Sequence, residues 1–542
     1  MAPANPSTAG EAVHGPWWAD AVIYQVYPRS FADANGDGTG DLAGIVQRMP
    51  YIAALGVDAV WLSPFYPSPQ HDSGYDVRDP RDVDPVYGTL DDARALIAAA
   101  HDRGLRVIVD IVPNHFSTEH PWFAEAVAAG PGSAARSRFH FRPGRGPDGD
   151  EPPNNWLSLF TGPAWTRITE ADGTPGEWYL NMFDSTQADL DWTNPDVRAD
   201  FIRTLRFWLD LGADGFRVDV AMGMAKDMTY ADATDPAAVL DEVRLDLPSD
   251  GPREADLSHY LDRDEIFDIF REWRRVLDSY PGDRMAVAEA WVPADRAPLY
   301  VQPDTLHQIF TFDFLSAPWD AERLRSIITQ AIDTLAPAPA TWALCNHDSP
   351  RVASRLGGGE IGQRRARAMA LLAQALPGSL YVYQGEELGL EDADIPPDRR
   401  QDPVWFRSGG EQLGRDGARV PLPWSGSAPP YGFGAADTWL PQPEDWAGLT
   451  VTRQESDPLS TLSLYRAGLR LRKAHPGLAP RSPLHWWDLG AGIVAFRRGD
   501  GFASVTNAGP RPCALPEGVV LLTSQPLSEA SLPPDTTVWL QQ

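Results

Sequence analysis

Short apolar runs recur along the chain at residues 21–27, 57–62, 105–112, 213–220, 285–288, 308–314, 341–345 and 380–383. Such runs, rich in β-branched and aromatic residues and lacking alternation, predict strands buried on both faces. Between them lie longer segments with apolar residues at helical spacing, among them 91–102 and 195–211. Strand and helix in alternation predict parallel strands joined by crossover helices, and eight such strands close into a (β/α)8 TIM barrel. The expected fold class is therefore α/β. One run departs from the apolar rule: in Ala-Asp-Gly-Phe-Arg-Val-Asp-Val, residues 213–220, Arg217 and Asp219 stand two apart and share a face. An inward charged pair on a buried strand is costly. It is either a structural ion pair or part of a site.

The pattern changes in three places. Residues 116–194 carry Gly/Pro-rich stretches and many aromatics, too long for an ordinary connection between a strand and its helix, and read as an inserted, loop-rich domain B. A second irregular region, rich in Pro, Gly and Trp, runs from about residue 391 to 446, and 457–473 reads as the last barrel helix. Beyond Pro476 the chain turns to short β-like runs such as 493–496 and 519–522, so a small all-β, sandwich-like C-terminal domain is expected over 476–542. The barrel then takes 1–115 and 195–475.

Composition narrows the partners. The 75 acidic against 46 basic residues, a formal charge of −29, repel nucleic acid and anionic membranes and leave room for a neutral ligand. No run approaches the ~20 apolar residues that span a bilayer. Residues 1–15 lack the basic start and apolar core of an export signal. The two cysteines, Cys345 and Cys513, lie far apart in sequence, and Cys345 reads as a buried free thiol. A cytoplasmic setting is expected, with a homo-oligomer left open. Between the first strand and the next helix, Asp33, Asn35, Asp37, Thr39 and Asp41 put oxygen at alternate positions among glycines, a pattern that suits a hard cation. The loop starts like an EF-hand but has Gly44 where the closing Glu would stand. The alternative is a Gly-rich turn with Asp41 capping the following helix.

Three further charged stretches end strand-like runs: Asp110-Ile-Val-Pro-Asn-His115, Val287-Ala-Glu289-Ala-Trp291 and Asn346-His347-Asp348-Ser-Pro-Arg351. Barrel enzymes place catalysis at the C-terminal ends of strands. Together with Gly215-Phe-Arg217-Val-Asp219, these stretches resemble the four ordered sequence regions of the α-amylase superfamily, glycoside hydrolase family 13, in its α-glucosidase and oligo-1,6-glucosidase branch. Residues 56–64, 187–192 (Gln-Ala-Asp-Leu-Asp-Trp) and 383–389 add matches, so the resemblance spans nearly the whole chain. It implies a domain B over the insertion and a structural Ca²⁺ or Mg²⁺, with no organic cofactor. The cation would be held by the side chains of Asp33, Asn35, Asp37 and Asp41 and the carbonyl of Thr39. Departures fall at Ala188 and Asp191, where Pro and Asn are usual, and at Met222, where His is frequent.

The chemistry expected of such residues is retaining glycoside hydrolysis, which needs two carboxyls about 5–5.5 Å apart. Asp219, beside Arg217, is expected to stay ionised as nucleophile. Glu289, flanked by Ala288, Ala290 and Trp291, is expected to be an acid/base whose pKa is raised by apolar company. The resemblance makes Asp348 the third carboxylate, gripping sugar hydroxyls in the transition state. It also implies that His115 and His347 hydrogen-bond the sugar, that Tyr75 stacks on it, and that Asp72 and Arg419 clamp its far hydroxyls and close the pocket. Phe160 and Phe183 are expected either as aromatic walls of that pocket or as core packing. The implied activity is an exo-acting α-glucosidase for short neutral oligosaccharides. The alternatives are a transglucosylase or sucrose/trehalose isomerase with the same glucosyl-enzyme and, remotely, a non-catalytic scaffold subunit.

Overall fold

The computed structural model describes residues 15–238, 259–435, 437–527 and 531–542. The stretch read for a leader therefore lies, but for Gly15, outside the described residues. Eight parallel strands build one sheet: β1 (Val22–Val26), β2 (Ala59–Leu62), β3 (Arg106–Ile111), β4 (Gly215–Val218), β5 (Met285–Ala288), β6 (Gln308–Ile309), β7 (Thr341–Ala343) and β8 (Ser379–Tyr383). They run in the order β6-β5-β4-β3-β2-β1-β8-β7. Across the seam between β6 and β7, Thr341 Oγ1 donates to Ile309 O at 2.5 Å, and the sheet forms a (β/α)8 barrel. Every residue of β1, β2, β4, β5, β7 and β8 is buried. Lipophilic contact on both faces is why these strands show no alternation in the sequence.

The helix before β4 shows how local signals set the register of a site strand. In α1 (Pro195–Leu211), the Asn194 side chain accepts from Asp196 N at 2.9 Å, Pro195 opens the first turn, and Gly212 at φ +115° ends the helix. Its buried stripe of Phe201, Leu205, Trp208 and Leu209 docks the helix on the barrel, and the chain then enters β4. There Arg217 lies level with Asp110 on β3 and Val287 on β5.

Two elements differ from the expected ones. Residues 308–314 are a strand only over Gln308–Ile309, and Phe312–Leu315 is a helical turn. Phe312 leaves the sheet to stack on Trp291, with centroids 3.6 Å apart and planes at 9°. The last barrel helix, α2 (Thr461–Ala474), begins later than the pattern suggests, because Pro458 breaks the entry and Ser460 caps it by accepting from Ser463 N.

Between β3 and α1 the chain forms a helix, Pro121–Ala129, and an antiparallel sheet of Phe141–Arg142, Pro175–Leu180 and Trp165–Thr169. At its root His115–Ser117 pairs with Gln187–Asp189. A buried ion pair, Lys226 Nζ to Asp189 Oδ2 at 2.8 Å, ties this root to the loop after β4, and Lys226 also donates to Asn114 Oδ1 at 2.9 Å. The C-terminal strands β9 (Leu484–Trp486), β10 (Ile493–Arg498), β11 (Phe502–Asn507), β12 (Val519–Thr523) and β13 (Thr536–Gln541) form an antiparallel sheet ordered β9-β10-β11-β13-β12. It docks on the barrel through Trp539 Nε1 to Leu371 O and Thr537 Oγ1 to Ala368 O. Both cysteines are free thiols, and among the described residues no helix is long and apolar enough to cross a membrane.

Candidate active site

The ends of β3, β4 and β5 converge on one guanidinium. Arg217 Nη1 donates to Asp219 Oδ1 at 2.6 Å and to both oxygens of Asp110 at 3.0 Å, while Nη2 lies 2.5 Å from Glu289 Oε2. Asp219 and Glu289 are thus bridged by a single planar group, an arrangement compatible with the short carboxyl spacing of retaining glycosidases. Glu289 does not sit in purely apolar company, as the flanking residues suggested. Its Oε2 also accepts from Val220 N at 3.0 Å and its Oε1 from Trp291 Nε1 at 3.4 Å. The chain turns sharply just after Asp219, with Val220 at φ +43°, a strained backbone of the kind found beside reacting groups.

The electrostatics also differ from the simple pairing read in the sequence. Burial pushes the Asp219 carboxyl well up, and Arg217, which pulls it down, is shared with Asp110 and Glu289. Asp110, with no solvent to stabilise its charge, is likewise raised by burial against the pull of Arg217. Asp110 and Asp219 thus compete for one guanidinium in a buried setting that disfavours both charges.

Asp348 behaves in the opposite way. Burial alone would raise it, but His347, Arg415 and Arg419 hold it below the usual carboxylate range. Burial also keeps His347 neutral, which leaves the two arginines as the charges responsible. Arg415 Nη1 and Arg419 Nη2 reach Asp348 Oδ1 at 3.0 and 2.8 Å.

The arginine that joins Asp72 to Asp348 is Arg415, four residues before the Arg419 singled out in the sequence. Arg419 is fully buried; besides Asp348 it donates from Nε to the carbonyl of His347 at 2.8 Å. Arg415 lies in front of it and joins Asp72 Oδ1 (2.8 Å), Asp348 Oδ1 (3.0 Å) and Asp402 Oδ2 (2.7 Å), with its guanidinium 4.8 Å above the Phe160 ring. Both arginines belong to Arg415-Asp-Gly-Ala-Arg419, and only the chain trace selects between them. Asp402 was missed as well. It is fully buried and accepts from both Nε and the backbone N of Arg415.

The remaining residues line one cleft. Tyr75 stacks on His347 at 5.2 Å and its hydroxyl donates to Asp110 Oδ2 at 3.0 Å. His115 Nε2 lies 3.1 Å from Gln187 Nε2, which also donates to Asp72 Oδ2 at 3.0 Å. Burial pushes Asp72 up to about 6 against Arg415, and lowers His115 to about 4, leaving a neutral ring at pH 7. Phe183 packs on both Phe160 and His115 at 5.3 Å, so the two phenylalanines are brought together with the charged residues. The three carboxylates Asp219, Glu289 and Asp348 are each less than a tenth exposed, which strengthens every polar interaction with a bound ligand.

The loop over residues 33–41 stands apart from this cleft. Its carboxylates are turned onto its own amides: Asp33 accepts from Gly36 N and Gly38 N, and Asp41 from Ala34 N, Asn35 N and Gly44 N. Asp41 caps the helix Leu42–Leu55. Among the described residues no three His, Cys, Asp or Glu side chains converge as metal ligands. The donors of the loop, all oxygen, match a hard cation in kind.

Comparison with known proteins agrees with this geometry. Residues 25–480 match the alpha amylase catalytic domain. The chain is 38% identical to a probable alpha-glucosidase of Rhizobium meliloti (strain 1021), over 90% of this chain and 87% of that one. It is 35% identical to the oligo-1,6-glucosidase of Parageobacillus thermoglucosidasius, over 85% of this chain and 84% of that one. Among solved structures it resembles an alpha-glucosyl transfer enzyme, XgtA, at a TM-score of 0.86 and 34% identity, covering 97% of this chain and 99% of the other. With four charged strand ends gathered on one cleft and the family match running the length of the barrel, the chain belongs to the α-amylase family, glycoside hydrolase family 13.

Proposed function

We propose that the protein is a retaining, exo-acting α-glucosidase of short neutral oligosaccharides. The observation that carries this reading is the single guanidinium of Arg217 bridging Asp219 and Glu289, with Arg415 joining Asp72 to Asp348 nearby, where it would close the far side of the sugar pocket. Asp219 attacks the anomeric carbon and forms a covalent glucosyl ester, while Glu289 gives its proton to the departing glycosidic oxygen. Glu289 then takes a proton from water, which attacks the same carbon, breaks the ester and restores Asp219. Asp348, kept anionic by its arginines, binds ring hydroxyls more tightly as the ring flattens and so favours the transition state. Tyr75 and the wall of Phe160 and Phe183 supply apolar faces for the sugar. Asp72 and Arg415, with Arg419 behind them, meet the hydroxyls at the non-reducing end.

A closed far side forbids chain extension there. Maltose or isomaltose is expected to give glucose as its α-anomer, and a maltooligosaccharide blocked at its non-reducing end is expected to resist. Rapid mid-chain cleavage of the blocked substrate would replace this reading with an endo-acting one. Transfer to a sugar acceptor by the same glucosyl-enzyme is a second reading, favoured by the likeness to a glucosyl transfer enzyme. Sucrose turned over with more isomer than free glucose would select it.

We assign the 33–41 loop a structural Ca²⁺ or Mg²⁺ held by Asp33, Asn35, Asp37, Asp41 and the Thr39 carbonyl, and place the enzyme in the cytoplasm, where its free thiols persist. The cation supplies no step of the reaction. Chelation is accordingly expected to lower the melting temperature while the rate at moderate temperature stays unchanged. Metal-free protein with the same melting temperature would return the loop to a turn that caps a helix. Association of copies is checked by sedimentation.

A further inference from the structure

The segment after β8 meets the insertion between β3 and α1 at one arginine. Arg407 is the last residue of the short helix Pro403–Arg407. Its Nε donates to the carbonyls of Phe160 and Thr161, both at 3.1 Å, and its Nη2 donates to Thr161 O at 2.6 Å. Its Nη1 lies 3.5 Å from Asp184 Oδ1. Thr161 follows Phe160 and Asp184 follows Phe183, so one guanidinium holds the backbone of both phenylalanines. The two are also tied to each other: Ser158 Oγ accepts from Phe160 N at 3.0 Å and donates to Phe183 O at 2.6 Å.

The other end of the same helix reaches Arg415. Asp402 caps the helix by accepting from Val404 N at 2.9 Å, and its second oxygen takes Arg415 Nε at 2.7 Å. Arg415 in turn lies over the Phe160 ring and pairs with Asp72. From Asp72 the contacts return to the insertion, because Gln187 Nε2 donates to Asp72 Oδ2 at 3.0 Å and Gln187 Oε1 accepts from Asp184 N at 2.8 Å. Phe160 is thus held on its ring face by Arg415 and at its carbonyl by Arg407, and one short helix orients both arginines.

The held stretch is strained. Thr161 sits at φ +72°, in the left-handed region that a non-glycine residue occupies only when its surroundings keep it there. Its Oγ1 is buried with no hydrogen-bond partner among the described residues. Charge-assisted bonds from Arg407 to the two carbonyls offset that strain. Without them the turn would relax, and Phe160 would move with it.

We propose that Arg407 is a positioning residue: by tethering the Phe160 and Thr161 carbonyls and Asp184 to the helix that orients Arg415, it sets where the aromatic wall meets the glucosyl ring. The proposal rests on the glucosidase reading, in which Phe160 and Phe183 face that ring. Every α-glucoside presents the same ring there, so loss of the tether acts on all of them alike, whatever their leaving group.

The test compares Arg407→Ala, Arg407→Lys, Phe160→Ala and the double variant Arg407→Ala/Phe160→Ala with the parent on maltose and 4-nitrophenyl α-glucoside, with D-glucose as competitive inhibitor, well below each melting temperature. Arg407→Ala is expected to lower kcat/KM about tenfold on both substrates, chiefly through KM, with their ratio kept within about twofold and glucose inhibition weakened by a similar factor. Arg407→Lys, whose ammonium still reaches a carbonyl, is expected to recover part of the loss. The double variant is expected to lose clearly less than the two single losses combined, since both act through one ring. If Arg407→Ala does not fold, Arg407→Met takes its place, keeping the apolar stem and removing the donors. A lower melting temperature with unchanged KM and glucose inhibition means a merely structural arginine and overturns the proposal. A loss confined to maltose, or fully additive losses, overturns it as well. A parent inactive on both substrates sinks the glucosidase reading itself, and the proposal with it.

Discussion

Replacing Asp219 by Asn is expected to abolish turnover, by a factor on the order of 10⁴ or more, while the fold survives. The amide is isosteric and still accepts from Arg217, but it has no anionic oxygen with which to form the glucosyl ester, and a nucleophile removed from a concerted set costs nearly the whole covalent route. Stability is expected to hold or rise. In the parent, burial disfavours the Asp219 charge, and a neutral side chain removes one of the three carboxyls crowded around Arg217. Steady-state rates on maltose and a thermal melt check both halves of the statement. Near-parental activity in this variant would remove Asp219 from the mechanism. Because the lost step is bond formation to carbon, no improvement of the leaving group rescues it.

Glu289→Gln is expected to cost less, about 10²–10⁴-fold on natural disaccharides, which is the usual worth of a positioned acid/base. Its signature lies in the leaving group. With 4-nitrophenyl α-glucoside the first step needs little protonation, so the glucosyl-enzyme is expected to form and then accumulate, since no base activates water for the second step. A burst of nitrophenol followed by a slow steady state, quickened by added azide as a nucleophile that needs no base, would identify the role. Equal rescue of Asp219→Asn and Glu289→Gln by the activated substrate would mean the two assignments are exchanged or wrong. The bonds from Val220 N and Trp291 Nε1 to this carboxyl locate the gamble in the test, because Gln must keep the same rotamer to remain a fair isostere.

The paired charges in Gly215-Phe-Arg217-Val-Asp219 were legible without coordinates because a strand has a period of two, and the eight buried runs that become β1 to β8 because a strand covered on both faces reads as a short apolar run. The ends of elements were less so. The strand at 308–314 stops at Ile309 because Phe312 finds a better partner in Trp291, a contact between residues that neighbour each other only in the folded barrel.

Local physics also fixed the helix before β4. Asn194, Pro195 and Gly212 act on adjacent backbone groups, and no distant residue is required. The sequence by itself thus determined the barrel, the parity that turns Arg217 and Asp219 inward, and the identity of the four charged strand ends. Tertiary structure decided everything that depends on sharing. It made Arg217 the common partner of Asp110, Asp219 and Glu289. It put Arg415 rather than Arg419 between Asp72 and Asp348. It reversed the simple expectation for Asp219, since one neighbouring cation lowers a carboxyl but burial beside two more acids raises it. Periodicity and capping are properties of bonds along the chain, whereas the energy of a charge is set by all the charges and solvent around it, and those are known only once the chain has closed.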